Sequence, residues 1–130
     1  DSIYGGAGND TVSAGTENDA ISGDGGADVI RAGLGNDTVN GGTGNDVLYG
    51  NGGVDRFVFE AGDGDDVIYD FGNNVDTLVL NGMTGLVDWA DLSANHAVQT
   101  GRDVVLTFGT DEIIVKNITI AQLQDDVSIL

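Results

Sequence analysis

Ala32-Gly33-Leu34-Gly35-Asn36-Asp37-Thr38-Val39-Asn40 runs directly into Gly41-Gly42-Thr43-Gly44-Asn45-Asp46-Val47-Leu48-Tyr49, two nine-residue units built on one plan. Each opens with a Gly-rich hexad ending in Asp and closes with three residues whose middle member is a large aliphatic. Working outward, Asp stands at 1, 10, 19, 28, 37, 46 and 55, nine residues apart each time. Two residues after each comes Ile3, Val12, Ile21, Ile30, Val39, Leu48 or Phe57. A fixed period with a fixed apolar partner marks a repeat architecture in which every unit stacks on its neighbours. Isolated turn aspartates serve local hydrogen bonds only, and such turns have no reason to recur in strict register with an aliphatic residue.

The spacing sets the shape. A six-residue Gly-rich turn leaves three residues for a strand, so nine residues make half a coil and eighteen close a full turn. Turns then stack at about 4.8 Å, the strand spacing of a sheet. The expected fold is all-β: a right-handed parallel β-roll, a β-helix-like solenoid, with a C-terminal antiparallel β cap. Glycine supplies positive φ and lets carbonyls crowd inward without a Cβ clash, and the aliphatic residues form a thin seam between two sheets.

Loops eighteen residues apart lie over one another, so their aspartates pair: Asp10 with Asp28, Asp28 with Asp46, Asp19 with Asp37, and Asp37 with Asp55. Ca²⁺ takes about six to eight oxygens, mixed from carboxylates and main-chain carbonyls. The candidate ligands are the carboxylates of Asp10, Asp19, Asp28, Asp37, Asp46 and Asp55 and the carbonyls of Gly6, Gly8, Gly33, Gly35, Gly42 and Gly44. Without metal, each pair sets two carboxylates roughly 5 Å apart, a repulsion of about 1 kcal/mol even in water. Very short strands with one buried aliphatic each cannot offset that and the ordering entropy. The metal-free chain is therefore expected to be disordered and to fold on binding. Three hexads depart from the pattern: Glu17 stands at the fourth position, and Asp24 and Asn51 at the second. Glu17 is the most unfavourable if its position requires positive φ, which weakens the Asp19–Asp37 site.

After Val58 the register slips by two residues, Phe59 and Glu60, before another copy, Ala61-Gly62-Asp63-Gly64-Asp65-Asp66-Val67-Ile68-Tyr69. A degenerate copy, residues 70–80, has lost most of its glycine. Asp66 is expected over Asp46 and Asp76 over Asp55, with Asp63, Asp65 and Asp70 as further candidates. Residues 1–80 form the repeat roll, and 81–130, where the period disappears, a cap covering the last apolar layer. Within the cap, Asp88–Leu92 reads as a short helical turn, Val104–Phe108 and Glu112–Lys116 as a hairpin, and Thr119-Ile120-Ala121-Gln122 as a capping box. His96 falls in an expected strand.

Composition excludes several classes. Among 130 residues there are 22 acids, 19 of them Asp, against four bases, for a net charge of −18. Nucleic acid is excluded as a partner, since Arg31, Arg56, Arg102 and Lys116 form no cluster, and an anionic membrane would repel the chain. No apolar run reaches the ~20 residues that membrane insertion needs. Cys is absent, so disulfides and thiol chemistry are too. With a single His, no His-Glu-x-x-His and no Gly-x-Ser-x-Gly, the chain is not read as an enzyme. Asp1-Ser2-Ile3-Tyr4 reads as the end of a repeat, so the array is expected to extend upstream.

The Gly-Gly-x-Gly-x-Asp-x-U-x units of residues 5–58, with the exit Phe57-Val58-Phe59 through Leu78-Val79-Leu80, resemble the RTX calcium-binding β-roll of bacterial proteins exported by type I secretion. That group includes serralysin-like proteases, RTX lipases and repeat modules of mannuronan C5-epimerases. The resemblance implies about 4 to 6 Ca²⁺ ions and a secreted, extracellular module that folds outside the cell. Its implied partners are N-terminal parent domains and the type I secretion machinery. Asp125-Asp126-Val127-Ser128-Ile129-Leu130 is compatible with the C-terminal export signal of such proteins. The alternative implied is a polysaccharide-binding or activity-modulating module of a secreted enzyme such as an alginate epimerase, with Tyr4, Tyr49 and Tyr69, at the outward ninth position of their repeats, as a sugar platform.

Overall fold

The computed structural model describes residues 1–72 and 75–130; Asn73 and Asn74 of the degenerate repeat lie outside the described residues. Nine-residue units alternate between two sheets, as the spacing requires. The first sheet runs β1 (Ser2–Ala7), β3 (Ala20–Gly25), β5 (Thr38–Asn40), β7 (Arg56–Glu60), β9 (Thr77–Asn81) and β13 (Val127–Ile129). The second runs β2 (Thr11–Thr16), β4 (Val29–Leu34), β6 (Val47–Gly52), β8 (Asp65–Ile68), β12 (Asp111–Val115), β11 (Asp103–Phe108) and β10 (Ala97–Thr100). The roll strands pair in parallel, making a solenoid of about four turns.

The register is the one the aspartate column predicts. Ile21 pairs with Val39, Val39 with Phe57 and Ile30 with Leu48, each eighteen residues on. Past the Phe59-Glu60 insertion the offset widens, with Val47 opposite Val67 and Phe57 opposite Leu78. The strands are longer than three residues. In β1–β4 and β6 pairing runs on into the hexad, Gly6 opposite Asp24 and Gly33 opposite Asn51. The missing side chain makes this possible: a Cβ on Gly23 would overlap the Gly41 carbonyl oxygen of the next turn.

One large apolar residue per unit fills the interior, with Ala32 buried beside Ile30. Ile21, Ile30, Val39, Leu48, Phe57, Ile68 and Leu78 are all at most 3% exposed and form a single seam. Phe59, Phe71 and Leu80 thicken it, and the core then broadens into Met83, Leu92, Val104, Leu106, Phe108, Ile113, Val115, Ile118 and Leu123. The C-terminal segment also extends both sheets, because β12 pairs with β8 and β13 with β9, both in parallel. β10–β12 supply the antiparallel part. The hairpin and the capping box form as the sequence predicts: Thr119 and Gln122 cap α2 (Ile120–Leu123) reciprocally. Asp88 caps α1 (Trp89–Asp91), whose chain continues in a wider helical turn over Leu92–His96. His96 is thus in a helical turn and not a strand, its ring stacked on Phe108 with Nδ1 2.9 Å from the Thr107 carbonyl. Among the described residues no helix is long and apolar enough to cross a membrane.

Candidate metal sites between stacked turns

From the second complete turn on, the aspartate at the junction between hexad and strand is buried, as Asp19, Asp28, Asp37, Asp46, Asp55, Asp66 and Asp76 all are; Asp10 is half-buried. Stacking the turns in register sets one aspartate directly over another. The carboxylate Oδ1 of the later residue accepts the backbone N–H of the earlier one: Asp10 to Asp28 at 2.7 Å, Asp19 to Asp37 at 2.8 Å, Asp28 to Asp46 at 2.8 Å and Asp37 to Asp55 at 3.0 Å. The column continues across the insertion, with Asp46 to Asp66 and Asp55 to Asp76, both 2.9 Å. All six expected pairs are therefore brought together.

The Oδ1 oxygens of Asp28, Asp37, Asp46, Asp55, Asp66 and Asp76 are used in this way. Among the described residues, Oδ2 of Asp10, Asp19, Asp28, Asp37 and Asp46 is buried with no hydrogen-bond partner. A buried, unpaired carboxylate oxygen is strongly unfavourable, and five in a periodic row call for a cation. The space beside Asp10, Asp28 and Asp46 is shaped by glycine, while Ala14 and Ala32 hold the corresponding position before Asp19 and Asp37. A Cβ on Gly23 would overlap Asp28 Oδ2, and one on Gly41 or Gly50 would overlap Oδ2 of Asp46 or Asp55. Gly5 faces both Asp10 Oδ2 and the Gly23 carbonyl oxygen. Orphaned carboxylate oxygens, with the main-chain carbonyls of Gly23 and Gly41 close by, are the hard donor set that Ca²⁺ prefers. Among the described residues no three His, Cys, Asp or Glu side chains form a metal cluster, so main-chain oxygens are required as well.

The glycines named as carbonyl donors fall into two groups. The carbonyl oxygens of Gly8, Gly35 and Gly44 lie against the Cα atoms of Gly26, Gly53 and Gly64 in the next turn. Gly6 and Gly33 pair within the sheets, and Gly42 donates its N–H to Asn40 at 2.7 Å. Two further roles were not legible from the motif. The hexad's first glycine backs the orphaned oxygen at Gly5, Gly23 and Gly41, and Gly50 stands in the same way against Asp55 Oδ2. The hexad's fifth residue holds adjacent turns together, because Oδ1 of Asn9, Asn18, Asn36 and Asn45 accepts the N–H of Ala27, Asn36, Val54 and Asp65. The repeated Asn-Asp dipeptide was the available signal. Asp70 joins the site region by accepting the N–H groups of Gly50 and Asn51, both at 2.9 Å.

The departures from the motif all adopt the backbone glycine would: φ is +91° at Glu17, +69° at Asp24 and +65° at Asn51. Asn and Asp tolerate this region; Glu does not. Glu17→Gly is therefore expected to stabilise the calcium-loaded chain by about 1 kcal/mol, read as a higher thermal midpoint. An unchanged or lower midpoint would show that the strain at this turn is absent.

Burial dominates the electrostatics. Desolvation pushes the Asp66 carboxyl from 3.8 up to about 8, against the hydrogen bond from Asp46 and with Coulombic help from Asp46, Asp63 and Asp65. Asp55 is pushed up to about 6 in the same way, and burial raises Asp46, Asp63 and Asp76. A raised carboxyl holds its proton more tightly in the metal-free fold than in the unfolded chain. The metal-free roll therefore gains stability as pH falls from about 8 toward 3.8, whereas a bound cation must displace those protons. In the loose metal-free chain the carboxyls of Asp55 and Asp66 keep their ordinary value of 3.8 and are ionised at neutral pH, so the calcium midpoint is expected to stay nearly flat from pH 8 to 6 and to rise as pH falls toward 3.8. Calorimetry in buffers of different ionisation enthalpy checks this; substantial proton release between pH 8 and 6 would show that the metal-free chain is already folded around its aspartates.

The three tyrosines do not make one platform. Tyr4 projects from the first sheet, in β1, whereas Tyr49 and Tyr69 stand on the second. Their rings stack on each other 5.3 Å apart, Arg31 lies over the free face of Tyr49 at 5.0 Å, and Lys116 lies 5.9 Å from the Tyr69 ring.

Residues 1–21 and 31–63 match the family model described as the RTX calcium-binding nonapeptide repeat. These segments are RTX calcium-binding nonapeptide repeats. The RTX array is a structural calcium-binding module, and the stretch between the matched segments holds the hexad in which Asp24 replaces glycine. Solved structures carry the same fold. The extracellular lipase LipA of Serratia marcescens is 26% identical with a TM-score of 0.77 over 95% of this chain, and the chain spans only 20% of the lipase. The AlgE6R2 subunit of the Azotobacter vinelandii mannuronan C5-epimerase is 26% identical with a TM-score of 0.63, covering 95% of this chain and 91% of that one. The AlgE6R3 subunit, at 24% identity and a TM-score of 0.67 over 94% of this chain and 78% of that one, shares the fold. No curated protein matches the chain in sequence.

Proposed function

We propose that this RTX chain is a calcium-triggered folding module of a larger secreted protein, loose where calcium is scarce and ordered outside the cell, and that it carries no catalysis of its own. The observation that carries this reading is the row of five buried, unpartnered carboxylate oxygens, which burial disfavours and a cation would satisfy. Asp10, Asp19, Asp28, Asp37, Asp46, Asp55, Asp66 and Asp76 would supply carboxylate ligands and the hexad glycines main-chain ones, for about 4 to 6 ions. Residues 1–80 would be the metal-dependent roll and 81–130 its cap, a region that would also present the export signal to a type I secretion apparatus.

Calcium titration of the metal-free chain, followed by far-UV circular dichroism, tests it. A cooperative gain of β signal is expected at ~10⁻⁴–10⁻³ M free calcium, the range of extracellular modules. A folded spectrum indifferent to chelator would sink the proposal. A second reading, a polysaccharide-binding module, draws support from the likeness to the epimerase subunit AlgE6R2. The ring faces of Tyr49 and Tyr69 are largely taken up by their own stack, so a glycan would meet ring edges and hydroxyls. A mannuronan titration in saturating calcium separates the two readings.

A further inference from the structure

The outer faces of the two sheets differ. On the first, the ladder through the strand starts reads Ser2, Ala20, Thr38, Arg56 and Thr77. On the second, the corresponding ladder reads Val29, Val47, Val67, Ile114, Val105 and Val98 across six adjacent strands. Strand propensity alone would favour β-branched residues on both faces equally, and only one face has them throughout. The stripe meets solvent along its length, half-buried from Val29 to Val105 and 61% exposed at Val98, with Tyr69 on its flank 45% exposed.

The stripe is also charge-segregated in a chain of net charge −18. Along one flank run Arg31, Tyr49, Tyr69 and Lys116; along the other stand Asp65 and Glu112, two residues before Val67 and Ile114. A two-fold axis lying along the stripe would set apolar ladder on apolar ladder. It would bring Lys116 of one copy to Glu112 of the other and the Tyr69 hydroxyl to Asp65, each contact made twice. We propose that the outer face of the second sheet is a self-association surface, on which two calcium-loaded copies pack face to face as an aligned sandwich. Seven strands at about 4.8 Å and roughly three outward residues per strand offer an area on the order of 500 Å² per copy, near the ~1,000 Å² total that a specific interface needs. Lys116 already holds Asp103 at 2.9 Å and would then stand between two carboxylates. The net negative charge of each copy opposes association at long range, so added salt should strengthen it.

Sedimentation of the calcium-saturated chain tests the proposal. A particle of twice the chain mass is expected, its dissociation constant falling as salt rises. Val67→Asp should weaken it at least about tenfold. Glu112→Lys should also weaken it, by setting a second ammonium against Lys116 of the other copy, and adding Lys116→Glu should restore it; circular dichroism confirms that each variant folds. A monomer at all concentrations up to ~200 μM, a dimer indifferent to Val67→Asp, or a monomer that binds mannuronan through this face would each overturn it.

Discussion

Chelating calcium should split the chain's hydrogen exchange in two. Amides of Ile21, Ile30, Val39 and Leu48 are expected to lose protection by more than about a hundredfold, while those of Leu106 and Val115 keep most of theirs. The five orphaned oxygens among the described residues lie between Asp10 and Asp46, in a stretch whose interior is one large side chain per unit. The region after Phe57 instead gathers Phe59, Leu80, Leu92, Leu106, Phe108, Ile113 and Leu123 into a broad core that needs no cation for its burial. Trp89, the single tryptophan, packs against that core and should change emission far less than the far-UV signal falls. Loss of protection that is uniform from Ile21 to Val115 would show that roll and cap are one metal-dependent unit.

The second large effect is steric. Gly44 has φ +137°, and a Cβ there would collide with the Gly26 carbonyl oxygen of the turn beneath. Backbone strain and a backbone clash act together, and neither neighbour can swing away as a side chain would. Gly44→Ala should destabilise the calcium-loaded roll by about 3 kcal/mol or more. Gly62 is the internal comparison, with φ +96° and nothing within 4 Å of an added Cβ; alanine there should cost about 1 kcal/mol, from the backbone alone. Calcium-saturated denaturant titrations of the two variants measure the difference, and equal losses would contradict the tight stacking of the turns.

The roll was legible because its signal repeats. Asp at every ninth position, with an aliphatic residue two further on, specifies the register, the seam and the carboxylate pairs, and Glu17, Asp24 and Asn51 were readable as departures, all with positive φ. What escaped depends on contacts between turns that the motif spells only as small or variable residues. The strands run into the hexads because Gly23 and its counterparts let the next turn's backbone approach. Asn36 joins three turns through Asn18 and Val54, although as a letter it is a variable position. The parallel pairing of β12 on β8 joins Ile114 to Val67 across a segment with no period, and nothing local announces it. His96 ends a polar helical turn that its neighbours' alternation conceals, and the tyrosines on different sheets look equivalent until the half-coil geometry separates them.

The central claim is that the orphaned oxygens mark where calcium sits. Crystals grown with Ca²⁺ and measured where calcium scatters anomalously test it most directly. Peaks should lie about 2.3–2.6 Å from Oδ2 of Asp28 and Asp37 and recur along both loop edges of the roll, within reach of main-chain oxygens. Peaks confined to exposed carboxylates such as Asp24 and Asp65, with none beside Asp28 or Asp37, would contradict the account.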